Sequence, residues 1–282
     1  MANVAYIGTG LLGSGMVEAM LRRGDTVTVW NRTESKARAL EQSGARVAAS
    51  PADAVAGAER VHMTLPDDDV VESVIQGFVP RLGAGAVVID HSTTAPKRTA
   101  KRVAQMASNG LAFLHAPVFM SPQLARESTG IMIVAGPERV FDRVRDSLAK
   151  MTGEVWYVGE QGHLAASYKI FGNSMLFVIV AGLTDVFAMA RGLGIAPADA
   201  LQVFAKFQPG GVIKLRGDKM ARGDFSATFE LTMARKDMRL MLEAGGDEPM
   251  TVLPGIARRM DEAIAAGHGH EDLGSLAMEL VR

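Results

Sequence analysis

The sequence predicts an α/β fold, a doubly wound open sheet that gives way to an all-helical second half across one long helix. Three observations lead there. A short apolar run, Asn3–Ile7, meets Gly8-Thr9-Gly10-Leu11-Leu12-Gly13 at once, and a helical pattern through Met16, Ala19, Met20 and Leu21 follows. Short apolar runs then alternate with amphipathic stretches as far as Val158. After Gly162 the alternation stops, and only helical stretches separated by Gly- or Pro-containing turns remain.

The first motif is G-x-G-x-x-G in the context that gives it a mechanism, after a strand and opening a helix. Gly8 makes the tight turn, Gly10 lets the backbone approach a pyrophosphate, and Gly13 lets helix and strand pack closely. The loop, with Leu11 and Leu12, presents the helix N-terminus to the phosphates. The first half therefore reads as a Rossmann dinucleotide-binding domain; the alternative is a glycine-rich turn without a ligand. The second strand, Thr26–Trp30, ends in Asn31-Arg32-Thr33, with Lys36 one turn into the next helix. An NAD-binding chain places Asp or Glu there for the ribose 2′-hydroxyl, and here the carboxylate is missing. Asn31 and Thr33 can bond a 2′-phosphate and Arg32 and Lys36 can neutralise it, so NADP is expected over NAD. A solvated loop cation is the other reading of Arg32.

The alternation continues with helices at 34–43, 51–56, 70–78, 97–108 and 138–151. Strands fall near 46–48 and at 61–65, 86–90, 112–116, 130–134 and 155–158. Ligands of such sheets sit beyond the carboxyl ends of the strands, which selects Leu65-Pro66 and Ser92-Thr93 as cofactor-side residues.

The long helix covers 164–189 at least, without proline, and would run roughly 40 Å at about 1.5 Å per residue. Lys169 and Asn173, four apart, share one face among Ile170, Phe171, Met175, Leu176 and Phe177. Such a lysine is a snorkelling cation or a catalytic acid facing a cleft. Residues 175–190 are the most apolar in the chain, shorter than the roughly 20 of a membrane span and interrupted by Asp185, which predicts a buried helix. Further helices are expected at 197–207, 211–220, 228–244, 252–266 and 272–281.

At 282 residues, 48% hydrophobic and 22% charged, the chain is expected to form two globular domains, 1–161 and 162–282, bridged by a helix at about 163–193 with a cleft between them. Thirty basic against 31 acidic residues give a net charge of −1, so neither a nucleic-acid surface nor an acidic partner is indicated. The absence of cysteine excludes disulfides, thiolate metal sites and a cysteine nucleophile, and fits a cytoplasmic location. The start, MANVAYIGTG, lacks the pattern of a signal peptide, and neither a membrane partner nor a metal is expected. His268-Gly269-His270-Glu271-Asp272 reads as cap and surface residues before the last helix; His115, entering the loop after 112–116, could contact a ligand.

Several ordered motifs make the chain resemble, over essentially its whole length, the β-hydroxyacid dehydrogenase family. They are the glycine loop with Gly15-Met16, Leu65-Pro66, Asp90-His91-Ser92-Thr93-Thr94-Ala95-Pro96, Ala116-Pro117-Val118, Lys169 with Asn173, and Lys236-Asp237. That family includes 3-hydroxyisobutyrate dehydrogenases and tartronate and succinic semialdehyde reductases, with a C-terminal domain like that of 6-phosphogluconate dehydrogenase. The resemblance implies that Lys169 is catalytic with Asn173 as its companion, that Thr93 lies near the nicotinamide, that Lys236 reaches the cofactor, and that the chain forms a homodimer or homotetramer. By the residues alone, Lys236-Asp237 is a charged pair on an amphipathic helix, by default an exposed salt bridge.

The chain departs from the family where Pro-Val-Ser-Gly-Gly would hold a substrate carboxylate. Pro117-Val118-Phe119-Met120-Ser121-Pro122 stands there, which makes the expected substrate site, with Ser92, Phe119, Met120 and Ser121, more apolar and poorer in donors. Arg126 is a nearby source of charge. The stretch before Lys169 resembles imine reductases, which often carry Asp or Tyr at the lysine position. The expected function is hydride transfer between NADPH and a carbonyl or hydroxyl substrate. An imine reductase-like activity on bulkier apolar substrates, and a catalytically silent NADP-binding protein, stay as alternatives.

Overall fold

The computed structural model describes residues 2–281, in two compact units, one up to Asn173 and one from Ser174 on. The first unit opens with β1 (Asn3–Ile7), α1 (Leu11–Arg22), β2 (Thr26–Trp30), α2 (Glu34–Arg38), β3 (Arg46–Val47), α3 (Pro51–Val55), β4 (Arg60–Met63) and α4 (Asp68–Phe78). It continues through β5 (Val87–Asp90), α5 (Pro96–Ser108), β6 (Ala112–His115), β7 (Val118–Phe119), α6 (Pro122–Glu127), β8 (Ile131–Val134), α7 (Glu138–Ala149) and β9 (Glu154–Tyr157) to the first turns of α8 (Leu164–Gly192).

Six parallel strands lie in the order β3-β2-β1-β4-β5-β6, the expected doubly wound sheet. Tyr6 and Ile7 show why both faces are covered. Successive residues of a strand point to opposite faces: Tyr6 joins Met16, Met20, Leu114 and Phe141 on one side, and Ile7 joins Val55, Met63, Ile75 and Phe78 on the other. Ile7 stands opposite Trp30 and Met63, so the turns holding Gly8, Asn31 and Thr64 leave the sheet at one edge. A second sheet, β7-β8-β9, follows, with β7 antiparallel and β9 parallel to β8.

Two local differences from the sequence reading have simple causes. The helix expected at 34–43 stops at Arg38 and resumes as a 3-10 turn, Glu41–Ser43, because the chain must reverse at Gly44, where φ is +98°. The loop after Ala116 also contains β7 and α6. Val118 and Phe119 pair with Met132 and Ile131, and α6 starts where Ser121 accepts from Leu124 N with Pro122 in the first turn.

The second unit holds the rest of α8, α9 (Pro197–Ala200), α10 (Gly211–Ala221), α11 (Leu231–Gly245), α12 (Leu253–Ala263) and α13 (Met278–Val281). Leu231, Ala234, Met238, Ala257 and Met260 form its core. Asp185, the acid inside the apolar helix, is 1% exposed and caps α12 by accepting from Val252 N and Leu253 N, each at 2.8 Å. Asp272 likewise caps a turn at Gly274 N and pairs with Arg216, while His268 sits 3.2 Å from Glu271.

The buried helix predicted for 175–190 is corrected here. α8 is one continuous helix of 29 residues, apolar and long enough by length and composition to cross a membrane, and in the single chain its middle is exposed. Phe177 is 67% and Val180 55% exposed. Only the ends are engaged: Ala165 and Ala166 are buried in the first unit, and Asp185, Ala188 and Ala190 in the second. Apolarity reported that the face avoids water; it did not report that the described residues leave it uncovered.

Candidate functional site

The glycine loop is shaped by contacts that leave no room for side chains. Gly8 has φ +96°, and a Cβ on it would lie 2.2 Å from Thr64 O; a Cβ on Gly13 would lie 2.1 Å from Gly8 O. Gly10, by contrast, faces open space. α1 starts at Leu11 with no side-chain cap and no acid in its first turn, so its N–H groups are left for an anionic ligand. Asn31 holds this loop to the end of β2: its Oδ1 accepts from Thr9 N at 3.0 Å and its Nδ2 donates to Thr33 O at 2.9 Å. The amide expected to bond a 2′-phosphate is engaged with the backbone.

A cavity of about 690 Å³ opens over this loop. It is lined by Gly8, Gly10, Leu11, Leu12, Gly13, Asn31, Arg32, Thr33, Lys36, Leu65 and Pro66, which are the cofactor residues the sequence places around strands β1, β2 and β4. Arg32 and Lys36 are exposed, and among the described residues no ion pair involves either. Trp30, Thr64, Asp69, Val70, Ser73 and Val74 complete the wall and were not anticipated. Trp30 directly precedes the Asn-Arg-Thr run, which was a usable signal; the α4 residues are brought over the groove by the β4–α4 turn, in which the sequence marks Leu65-Pro66 and not the helix that follows.

At the end of β5 the two polar neighbours separate. Thr93 is exposed, whereas Ser92 is 1% exposed, and its Oγ accepts from Leu65 N at 2.9 Å. Ser92 ties the turn after β5 to the turn after β4. His115, read as a candidate ligand contact, is fully buried and donates from Nε2 to Ser92 O at 3.0 Å. It lies against the turn after β5, where its Nε2 is also 3.2 Å from Thr94 Oγ1.

Lys169 is half-buried on the second turn of α8. Its Nζ donates to Val118 O at 2.8 Å and stands 4.2 Å from the centroid of the Phe119 ring. No carboxylate lies within 4.0 Å of it among the described residues, and burial lowers its pKa below the ordinary lysine range. Phe119 reaches α8 because residue 172 is glycine: a Cβ there would be 2.3 Å from the ring's Cζ. Asn173 follows on the same side of the helix, half-buried. The structure divides Phe119 from Met120. Phe119 packs with Ile133, Ala135 and Ala165, and Met120 packs into the core beside α1. Ser121 caps α6, and Arg126 pairs with Glu18 at 2.7 Å, so neither stands free. Lys236 lies in the second unit on α11 and contacts Asp237 at 2.8 Å.

Comparison with known proteins agrees with the fold. Residues 3–159 match the family of the NAD binding domain of 6-phosphogluconate dehydrogenase. The chain is 28% identical to 3-sulfolactaldehyde reductase of Escherichia coli strain K12, covering 100% of this chain and 96% of that protein. It is 25% identical to 2-(hydroxymethyl)glutarate dehydrogenase of Eubacterium barkeri, covering 97% and 93%. Among solved structures it superimposes with a TM-score of 0.90 on the imine reductase of Myxococcus stipitatus in complex with NADP+, at 21% identity and over 99% of both chains. That last likeness is one of fold.

Proposed function

The chain belongs to the 6-phosphogluconate dehydrogenase-type NAD-binding proteins and is an NAD(P)-dependent oxidoreductase of the β-hydroxyacid dehydrogenase family; from that premise we propose an NADPH-dependent reductase of carbonyl compounds with Lys169 as general acid. The observation that carries the reading is the setting of the lysine. An ammonium without a carboxylate partner, held by one carbonyl and one aromatic face, keeps protons to donate and has a pKa lowered toward working pH.

The glycine turn, the free start of α1 and the groove over them fit a dinucleotide, with Arg32 and Lys36 placed for a 2′-phosphate. The cofactor, when bound, supplies a hydride. Lys169 donates a proton, or a hydrogen bond, to the substrate oxygen as it becomes negative, and Asn173 orients that oxygen. Thr93 lines the nicotinamide end. The Phe119 ring beside the ammonium favours a substrate whose neighbouring group is apolar over one bearing a carboxylate. The same ring supports the second reading, reduction of an apolar imine. We also propose that the exposed middle of α8 is covered by a second copy of the chain, as a homodimer or a larger homo-oligomer, and that the protein acts in the cytoplasm.

The test is oxidation of NADPH and NADH in parallel across small semialdehydes, their carboxylated and sulfonated counterparts, bulky ketones and cyclic imines. Preferential turnover of uncharged carbonyl compounds with NADPH is expected. Faster turnover of the imines would favour the second reading, and tight NADPH binding with no turnover anywhere would leave a binding protein.

A further inference from the structure

Three strands of the large sheet carry a histidine near their carboxyl ends or just beyond them, and two of these rings are in contact. His62 of β4 and His91, the residue after β5, are 0% and 2% exposed and stack with centroids 5.2 Å apart. His62 Nδ1 lies 2.9 Å from His91 Nε2, and His91 Nδ1 lies 2.7 Å from Ala116 O. A carbonyl only accepts, so His91 carries its proton on Nδ1. Its Nε2 is then the acceptor, and His62 must donate from Nδ1. His62 Nε2 is left as a bare lone pair with no partner. The chain of bonds assigns one tautomer to each ring and needs both rings neutral.

The bond ends on a peptide that matters. Ala116 is the last residue before Pro117, and Val118, two residues on, supplies the carbonyl that accepts from Lys169 Nζ. Ala116 N is itself fixed by Asp90 O at 2.7 Å. We propose that His91, oriented by His62, is a positioning residue that sets the Ala116–Val118 segment and thereby the placement of the Lys169 ammonium. The inference rests on the reading of Lys169 as the proton donor.

The surroundings support neutrality. Burial lowers His62 well below its ordinary range and pushes His91 down to about 4. Facing groups are Tyr6 from β1, stacked on His62 at 6.1 Å, Arg60 on β4, Arg23 beyond α1, Asp90 on β5, and His115 on β6. The bond to Ala116 O and the charge of Asp90 attract a proton toward His91, and burial outweighs both.

The test uses H91L, H91N and H62L in the full-length protein, with K169A as reference. Leu cannot donate to Ala116 O, and the Asn side-chain amide can. In H91L, kcat for an aldehyde is expected to fall roughly tenfold, the scale of one lost hydrogen bond. The basic limb of its pH profile is expected to move to lower pH, because a displaced Val118 carbonyl no longer favours the charged lysine. NADPH affinity, read by fluorescence titration, is expected to stay, and H91N to recover most of kcat and the profile. H62L is expected to shift the limb in the same direction, which keeps the test intact if H91L does not fold. A loss of kcat in K169A together with an unmoved limb in both H91L and H62L would overturn the positioning role. An unaffected K169A would instead overturn the lysine reading beneath it.

Discussion

The Lys169 ammonium stands 4.2 Å from the centroid of the Phe119 ring, and the same ring occupies the notch left by Gly172, three residues along α8. Backbone and ring thus hold the ammonium together. The Val118 carbonyl fixes its position, and the ring excludes water from one side, which lowers its affinity for the proton.

Gly172→Ala should therefore act on a residue 53 positions away. A Cβ there would collide with the Phe119 ring, and overpacking of this kind costs about 1–3 kcal/mol. The expected result is a fall in kcat/KM of at least roughly tenfold for uncharged aldehydes. The double change with F119L, which shortens the ring away, should lose less than the sum of the two singles. Additive losses in that double-mutant cycle would show that the ring does not meet residue 172.

Arg32→Ala tests cofactor choice. Arg32 lines the groove, is exposed and has no ion pair among the described residues, so its guanidinium is available to a 2′-phosphate. KM for NADPH should rise roughly 10–100-fold, the range of a charge-assisted bond, while KM for NADH changes little. An equal rise for both cofactors would assign Arg32 to the shared diphosphate and remove the case for NADP.

Much of this was legible in the sequence because it is local. Gly8 and Gly13 meet within one strand-turn-helix step, so residue type and spacing carry their place in the turn, whereas the Asn31 amide expected for a phosphate bonds Thr9 N and Thr33 O. The doubly wound sheet followed from the alternation, although the strands expected at 130–134 and 155–158 lie in the second sheet. Phe119 against Gly172, and His62 against His91, were not legible, because each contact joins distant segments and only the register brings them together. Ser121 shows a different limit. A serine entering a substrate loop and a serine capping a helix look alike until the backbone turns, and here Leu124 N takes its hydroxyl. The exposed middle of α8 is a third case, since composition does not say which chain covers an apolar face.

That face gives the next prediction. Light scattering behind size exclusion should find the protein as a dimer or larger, and Phe177→Asp, at a position 67% exposed in the single chain, should shift it toward monomer. A monomeric wild-type protein at micromolar concentration would remove the proposed cover.

Acid should destabilise the fold earlier than its carboxylates require. His62, His91 and His115 are buried and neutral, with pKa values lowered by desolvation, His91 to about 4 from 6.5. Below about pH 6.5 the unfolded chain binds protons that the folded chain refuses, so their contribution is full above that pH and is lost as pH falls toward 4. Asp185 and Asp272, held low by backbone N–H donors that overcome the effect of burial, lose theirs only below the ordinary carboxylate pKa of 3.8. Denaturant midpoints measured from about pH 7.5 down to about pH 4.5 should fall steadily. A flat profile over that range would mean that the histidines are not buried neutral.

The most direct measurement for the central claim is the turnover of Lys169→Ala with NADPH and a responsive aldehyde, beside its affinity for NADPH. The lysine lies on α8, outside the lining of the dinucleotide groove, so affinity should remain close to that of the wild type. Turnover should fall by at least roughly a hundredfold, the scale of general acid catalysis. Unchanged turnover with intact NADPH binding would contradict the account.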